Sequence, residues 1–121
     1  MKMLRVVNET RGRELGGQIG LADRWWPRLK GLTRRRIEAG EGLVLVPCKA
    51  VHMYGMKQAL DVAFVDDRGA VVALYPDLAP GQRTPFHRPA RKAIELPPGT
   101  LADTGTQVGD VLACRPVEEE R

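Results

Sequence analysis

Short runs of aliphatic and β-branched residues, punctuated by glycine, proline and aspartate, recur along the chain at strand length rather than helix length. Leu4–Val7 and Gln18–Ala22 flank a polar stretch at 10–17 and predict a first hairpin. Gly42-Leu43-Val44-Leu45-Val46 is the most hydrophobic run and predicts a central strand, which Pro47 stops because proline has no N–H for a ladder. Residues 50–56 predict a further extended stretch, 58–60 a bend, and 61–65 a strand that pairs with 70–74. Asp66-Asp67-Arg68-Gly69 joins that pair: Gly69 takes a positive φ without strain, and aspartates bond neighbouring amides in turns. The core face of this hairpin is Val62, Phe64, Val71 and Ala73, or the residues one position along, since runs this continuous leave register open. Ala93–Leu96 and a run from Gln107 or Val108 to Cys114 predict the remaining strands.

Helical signals are few. Asp23 as N-cap and Pro27 in the first turn predict a short helix over 24–32, and Thr100 followed by Asp103 has the spacing of a capping box before Gly105. Residues 75–89 hold four of the nine prolines and predict a long loop. The fold class is therefore mainly β: a β-sandwich or partly open barrel with one or two short helices, residues 1–116 forming a single domain and 117–121 an acidic mobile tail.

Composition narrows the setting. A chain of 121 residues buries enough surface to fold without staples. Charge at the N-terminus where a signal peptide needs an apolar core, and no apolar stretch near the ~20 residues of a membrane span, predict a soluble cytoplasmic protein with no membrane partner. In such a compartment Cys48 and Cys114 are expected as free thiols. The net charge of +4 is uneven: residues 1–36 carry ten Lys and Arg against three acids. That basic third, with Trp25 and Trp26 among its arginines, makes nucleic acid one possible partner, against the commoner role of such surfaces in solubility.

Candidate chemistry concentrates between Cys48 and Asp61. Cys48, His52 and Met56 recur every four residues and are soft or borderline metal ligands, but an extended backbone spaces them about 13 Å apart, so only a bend brings them to one ion. The same bend is needed for Cys48 to act as a nucleophile with His52 as base and Asp61 or Glu95 as orienter, the arrangement of a Cys/His hydrolase or transferase. A binding module asks less. Its pocket is lined by Met53, Tyr54, Met56 and Phe64, with His52, Lys57 or Arg88 orienting a small anionic ligand and Asp61 either in the site or serving as a turn and capping acid. No motif specifies a cofactor.

Three blocks carry a resemblance. His52-Met53-Tyr54-Gly55-Met56-Lys57 followed by Leu60–Asp66 and Gly69–Val72 is the central one. Arg28–Leu32 leading to Glu41–Val46, and Glu95–Thr100 leading to Gly109-Asp110-Val111, are the others. In their order along the chain the three blocks resemble the bacterial and archaeal family known as domain of unknown function 192, across nearly the whole chain. The resemblance implies a compact β-rich domain and no established activity. Cys48 and His52 stand ahead of the Met-Lys pair, where other members often carry an aromatic residue before the methionine.

Overall fold

The computed structural model of the chain describes residues 2–23 and 36–117. The helix expected over 24–32 and all but the first residue of the expected tail lie outside them. Seven strands, β1 (Lys2–Asn8), β2 (Arg13–Asp23), β3 (Glu41–Val46), β4 (Leu60–Val65), β5 (Val71–Leu78), β6 (Lys92–Leu96) and β7 (Leu112–Pro116), form one sheet in the order β5-β4-β6-β3-β2-β1-β7. Only β2 and β3 run parallel; the other neighbours are antiparallel.

The sheet curls until its two edge strands meet at one end, which makes a half-barrel and decides for the barrel over the sandwich. The Val71 N–H donates to the Asp110 carbonyl at 2.8 Å, Gly109 N–H to the Val71 carbonyl at 2.9 Å, and Leu112 N–H to the Gly69 carbonyl at 2.8 Å. Gly69 sits at this seam and in the β4–β5 turn at once. Its φ is +87°, and a Cβ there would lie 2.6 Å from the Leu112 carbonyl oxygen, so both the turn and the closure require glycine. Asp66 behaves as its turn position demands, its Oδ1 accepting from the amides of Arg68 and Ala70, each at 2.9 Å.

Both faces of β4 are buried, which is why its apolar run is continuous. Ala63 and Val65 point into the barrel with Leu4, Val6, Ile19, Val44, Val71, Ile94, Leu96 and Leu112. Val62 and Phe64 point outward into a second cluster, where Val51, Met53, Leu78 and Ala90 cover the outer face. The segments carrying that cover, 47–58 and 79–91, are irregular. Residues 50–56 are not the extended stretch the sequence predicts: only His52 makes a ladder bridge, and the chain turns at Tyr54-Gly55, φ +78° at the glycine. β5 in turn reaches Leu78, further than the prolines suggest, since Pro76 lies on an edge strand where no donor is needed.

Two further expectations are corrected. The helical turn exists as α1 (Thr100–Thr104), but Gly99 is its N-cap, with no side-chain cap. Thr100 lies inside the helix and its hydroxyl donates to the Pro97 carbonyl at 2.8 Å, while the Leu101 amide donates to Asp61 Oδ2 at 2.8 Å. A carboxylate supplied by β4 thus does what the local Thr/Asp pair was expected to do. The last strand begins at Leu112 rather than near 107, because residues 107–110 form a turn. The Asp110 carboxylate accepts from the Gln107 amide at 2.9 Å, from Asn8 Nδ2 at 3.0 Å and from Arg11 Nε at 2.7 Å. Those bonds, the Arg11 guanidinium foremost, hold its carboxyl down at about 2.

Candidate functional site

The irregular cover over the outer face builds a cleft. Antiparallel bonds from Met53 N–H to the Gln82 carbonyl at 2.7 Å and from Thr84 N–H to the Val51 carbonyl at 2.9 Å pin the two segments together and make His52 and Arg83 directly opposed partners. Because those bonds lie on either side of the pair, His52 and Arg83 form a non-hydrogen-bonded pair, the kind whose Cα atoms approach to about 4.5 Å and whose side chains are closest. Both residues are exposed. Val51 and Thr84, one step along on each segment, are buried beneath them, and Thr84 Oγ1 is used up by accepting from the Val51 amide at 3.0 Å and donating to the Pro85 carbonyl at 3.0 Å.

Ala50, Val51, His52 and Tyr54 form one wall of the cleft and Arg83, Thr84, Pro85 and Phe86 the other, around a volume of about 640 Å³. No acidic residue is among them. The His52 ring stacks on Tyr54, with centroids 4.7 Å apart and planes at 27°, and its Nδ1 accepts from the Tyr54 amide at 3.4 Å. Accepting at Nδ1 places the neutral ring's proton on Nε2, which makes that nitrogen a donor. Among the described residues the Arg83 guanidinium has no hydrogen-bonded or ionic partner. The site therefore offers a planar cationic fork, an imidazole donor and two aromatic side chains, Tyr54 at 53% and Phe86 at 67% exposure.

Of the residues singled out in the sequence, only His52 and Tyr54 line this cleft. Met53 is fully buried, and its backbone rather than its side chain serves the site, the carbonyl accepting from Gly81 N–H at 2.9 Å. Met56 packs at the margin of the second cluster. Lys57 is exposed; Arg88 is exposed and contributes its carbonyl to Lys49 Nζ at 2.7 Å. Asp61 faces the barrel interior, where Oδ1 accepts from the Asp77 amide and Oδ2 from the Leu101 amide, each at 2.8 Å. These bonds tie β4 to the end of β5 and to α1, the turn-and-cap alternative for that residue.

Cys48 lies in the second cluster, its thiol donating to the Ala50 carbonyl at 3.2 Å. Desolvation pushes the thiol up, with the nearby Glu95 charge adding to it, whereas an activated nucleophile needs the opposite shift. No hydrogen bond joins Cys48 to His52, and among the described residues no three His, Cys, Asp or Glu side chains converge on a metal position. Cys48 and Cys114 are free thiols. Glu95, on the outward face of β6, is 6% exposed, and burial raises its carboxyl to about 7.

Sequence reasoning missed Arg83 and Phe86. They lie in the proline-rich loop, and the signal for them is the pairing of Val51 and Met53 with Gln82 and Thr84, which links residues thirty positions apart and leaves no local trace.

Known proteins share this architecture. A protein of unknown function from Novosphingobium aromaticivorans DSM 12444 superposes with a TM-score of 0.75 over 92% of this chain and 83% of its own, at 24% identity, which is a likeness of fold. A UPF0127 protein of Thermococcus sibiricus is 29% identical over 124 residues, 96% of this chain and 77% of the relative. Another, from Pyrococcus furiosus, is 31% identical over 88% of this chain and 95% of its own length. Residues 6–114, from the first interior valine of β1 to Cys114 in β7, match the DUF192 family, described as Uncharacterized ACR, and the chain belongs to that family.

Proposed function

We propose that this protein is a ligand-binding accessory module that holds small anions at the His52–Arg83 cleft. One observation carries the reading: two hydrogen-bond donors, one of them a permanent cation, are placed opposite each other on a bridged pair with no acid among the described residues that line the cleft. A guanidinium and an imidazole N–H facing each other across the pair are both donors, and a carboxylate or phosphate is the acceptor that completes them. Arg83 presents two parallel N–H groups, and His52 Nε2–H adds a third donor from the facing segment. Neither donor contributes to the two hydrophobic clusters, and the bridged backbone beneath places the two residues opposite each other.

Isothermal titration calorimetry with inorganic phosphate and with acetate tests this. Arg83→Gln keeps the length and polarity of the side chain while removing the charge, and it is expected to weaken phosphate binding at least about tenfold, the worth of a hydrogen bond to a charged group. Equal binding by the wild type and Arg83→Gln, or no binding by the wild type, would refute the proposal.

A further inference from the structure

We infer that the anion taken by this cleft is carried on a flat aromatic ring, stacked against Tyr54 and Phe86. The inference rests on the anion-binding reading and adds the class of ligand. Four of the chain's aromatic side chains of the Phe, Tyr and Trp type fall within the described residues, and they divide sharply. Phe64 and Tyr75 belong to the outer-face cluster, their rings 5.9 Å apart at 88°, and the Tyr75 hydroxyl is bonded to His87 Nε2 at 2.6 Å. Tyr54 and Phe86 are instead more than half exposed, and both line the cleft, one from each wall. Large apolar faces left in water on the two sides of one concavity are the arrangement of a stacking site rather than of a solvated surface.

The polar groups fit the same ligand. Thr84 Oγ1 is already bonded twice, so the donors facing a ligand include His52 Nε2–H and the Arg83 fork, whose charge favours an anionic acceptor over a cationic ammonium group. His52 occupies one face of Tyr54, and among the described residues neither the other face nor either face of Phe86 has a ring neighbour. A volume of about 640 Å³ holds a ring with its anionic group, and lies within the span of pockets that bind small molecules. Aryl carboxylates, aryl phosphates and mononucleotides share this chemistry; aliphatic anions have the charge and lack the face.

The test compares three probes by titration calorimetry: inorganic phosphate, cyclohexyl phosphate and phenyl phosphate. The wild type is expected to bind phenyl phosphate about tenfold more tightly than cyclohexyl phosphate, the worth of one stacked ring, and Tyr54→Leu/Phe86→Leu is expected to abolish that preference while still binding phosphate. Both side chains are exposed, so the double variant should keep the wild-type melting temperature within a few degrees, and a melt run alongside checks it. Equal affinity for the cyclohexyl and phenyl esters overturns the stacking inference and leaves the anion site standing. A phenyl preference that survives in the double variant overturns the assignment to Tyr54 and Phe86. Failure of all three probes to bind sinks the anion-binding reading itself.

Discussion

The two faces of the β4–β6 pair are built from the same strands and obey different rules. Away from the outer face the buried acids have partners: Asp61 on β4 is bonded to two amides, and Asp110, in the turn before β7, to Arg11, Asn8 and the Gln107 amide. On the outer face Glu95 is buried with no hydrogen bond among the described residues, and Cys48 bonds only a neighbouring carbonyl. The carboxyls record the contrast, Asp110 held down at about 2 and Glu95 pushed up to about 7. A paired buried charge serves the fold; an unpaired one burdens it. The inner face is therefore the scaffold, and the loop-covered outer face, whose rim carries the His52–Arg83 cleft, is where function has room to reside.

The largest effect that sharpens this contrast belongs to Asp61. Asp61→Ala leaves the buried Leu101 amide without its acceptor and the part-buried Asp77 amide to water, and should cost about 3 kcal/mol in urea unfolding, the upper end of the penalty for one buried unpaired donor. A loss below about 1 kcal/mol would break the claim that Asp61 holds β4, β5 and α1 together.

Glu95 predicts the opposite sign. Its folded carboxyl titrates at about 7 against 4.5 in the unfolded chain, so from pH 4.5 to 7 the unfolded state releases a proton that the folded state keeps. Stability from this group is full below pH 4.5 and falls by about 3 kcal/mol as pH rises through 7. In Glu95→Gln that fall should vanish, and the difference in unfolding free energy between pH 5 and pH 8, wild type minus variant, measures it. Matching pH profiles would mean that Glu95 ionises as easily as a surface acid.

Gly69→Ala probes the seam. The strained φ and the approach to the Leu112 carbonyl should together cost about 2 kcal/mol, with amide exchange accelerating first at Val71 and Leu112, whose bonds close the barrel. At the small end, Arg83→Gln should change unfolding free energy by less than about 0.5 kcal/mol, because Arg83 is exposed and outside both clusters. A large loss there would recast the cation as part of the scaffold.

How far the sequence discloses these features depends on the range of the interactions. The Asp66–Gly69 turn was legible because everything it needs, an acid acceptor and a residue free at positive φ, lies within four positions. The strands at β1, β3, β4, β5 and β6 were legible from their apolar runs, and the buried second face of β4 explains why its register was not. Thr100 misled because the acceptor for the helix amide comes from Asp61, forty residues away. His52 was visible as a candidate from its residue type, but its partner Arg83 was not. Their pairing depends on two short segments that only become neighbours once the outer face needs covering.

The central claim, that the His52–Arg83 cleft binds anions, is tested most directly by recording amide chemical shifts of the wild-type protein while inorganic phosphate is added. The account predicts saturable shifts concentrated at residues 50–54 and 82–86, leaving the amides around Asp61 and Asp110 unmoved. Shifts that fail to saturate, or that gather elsewhere on the sheet, would contradict it.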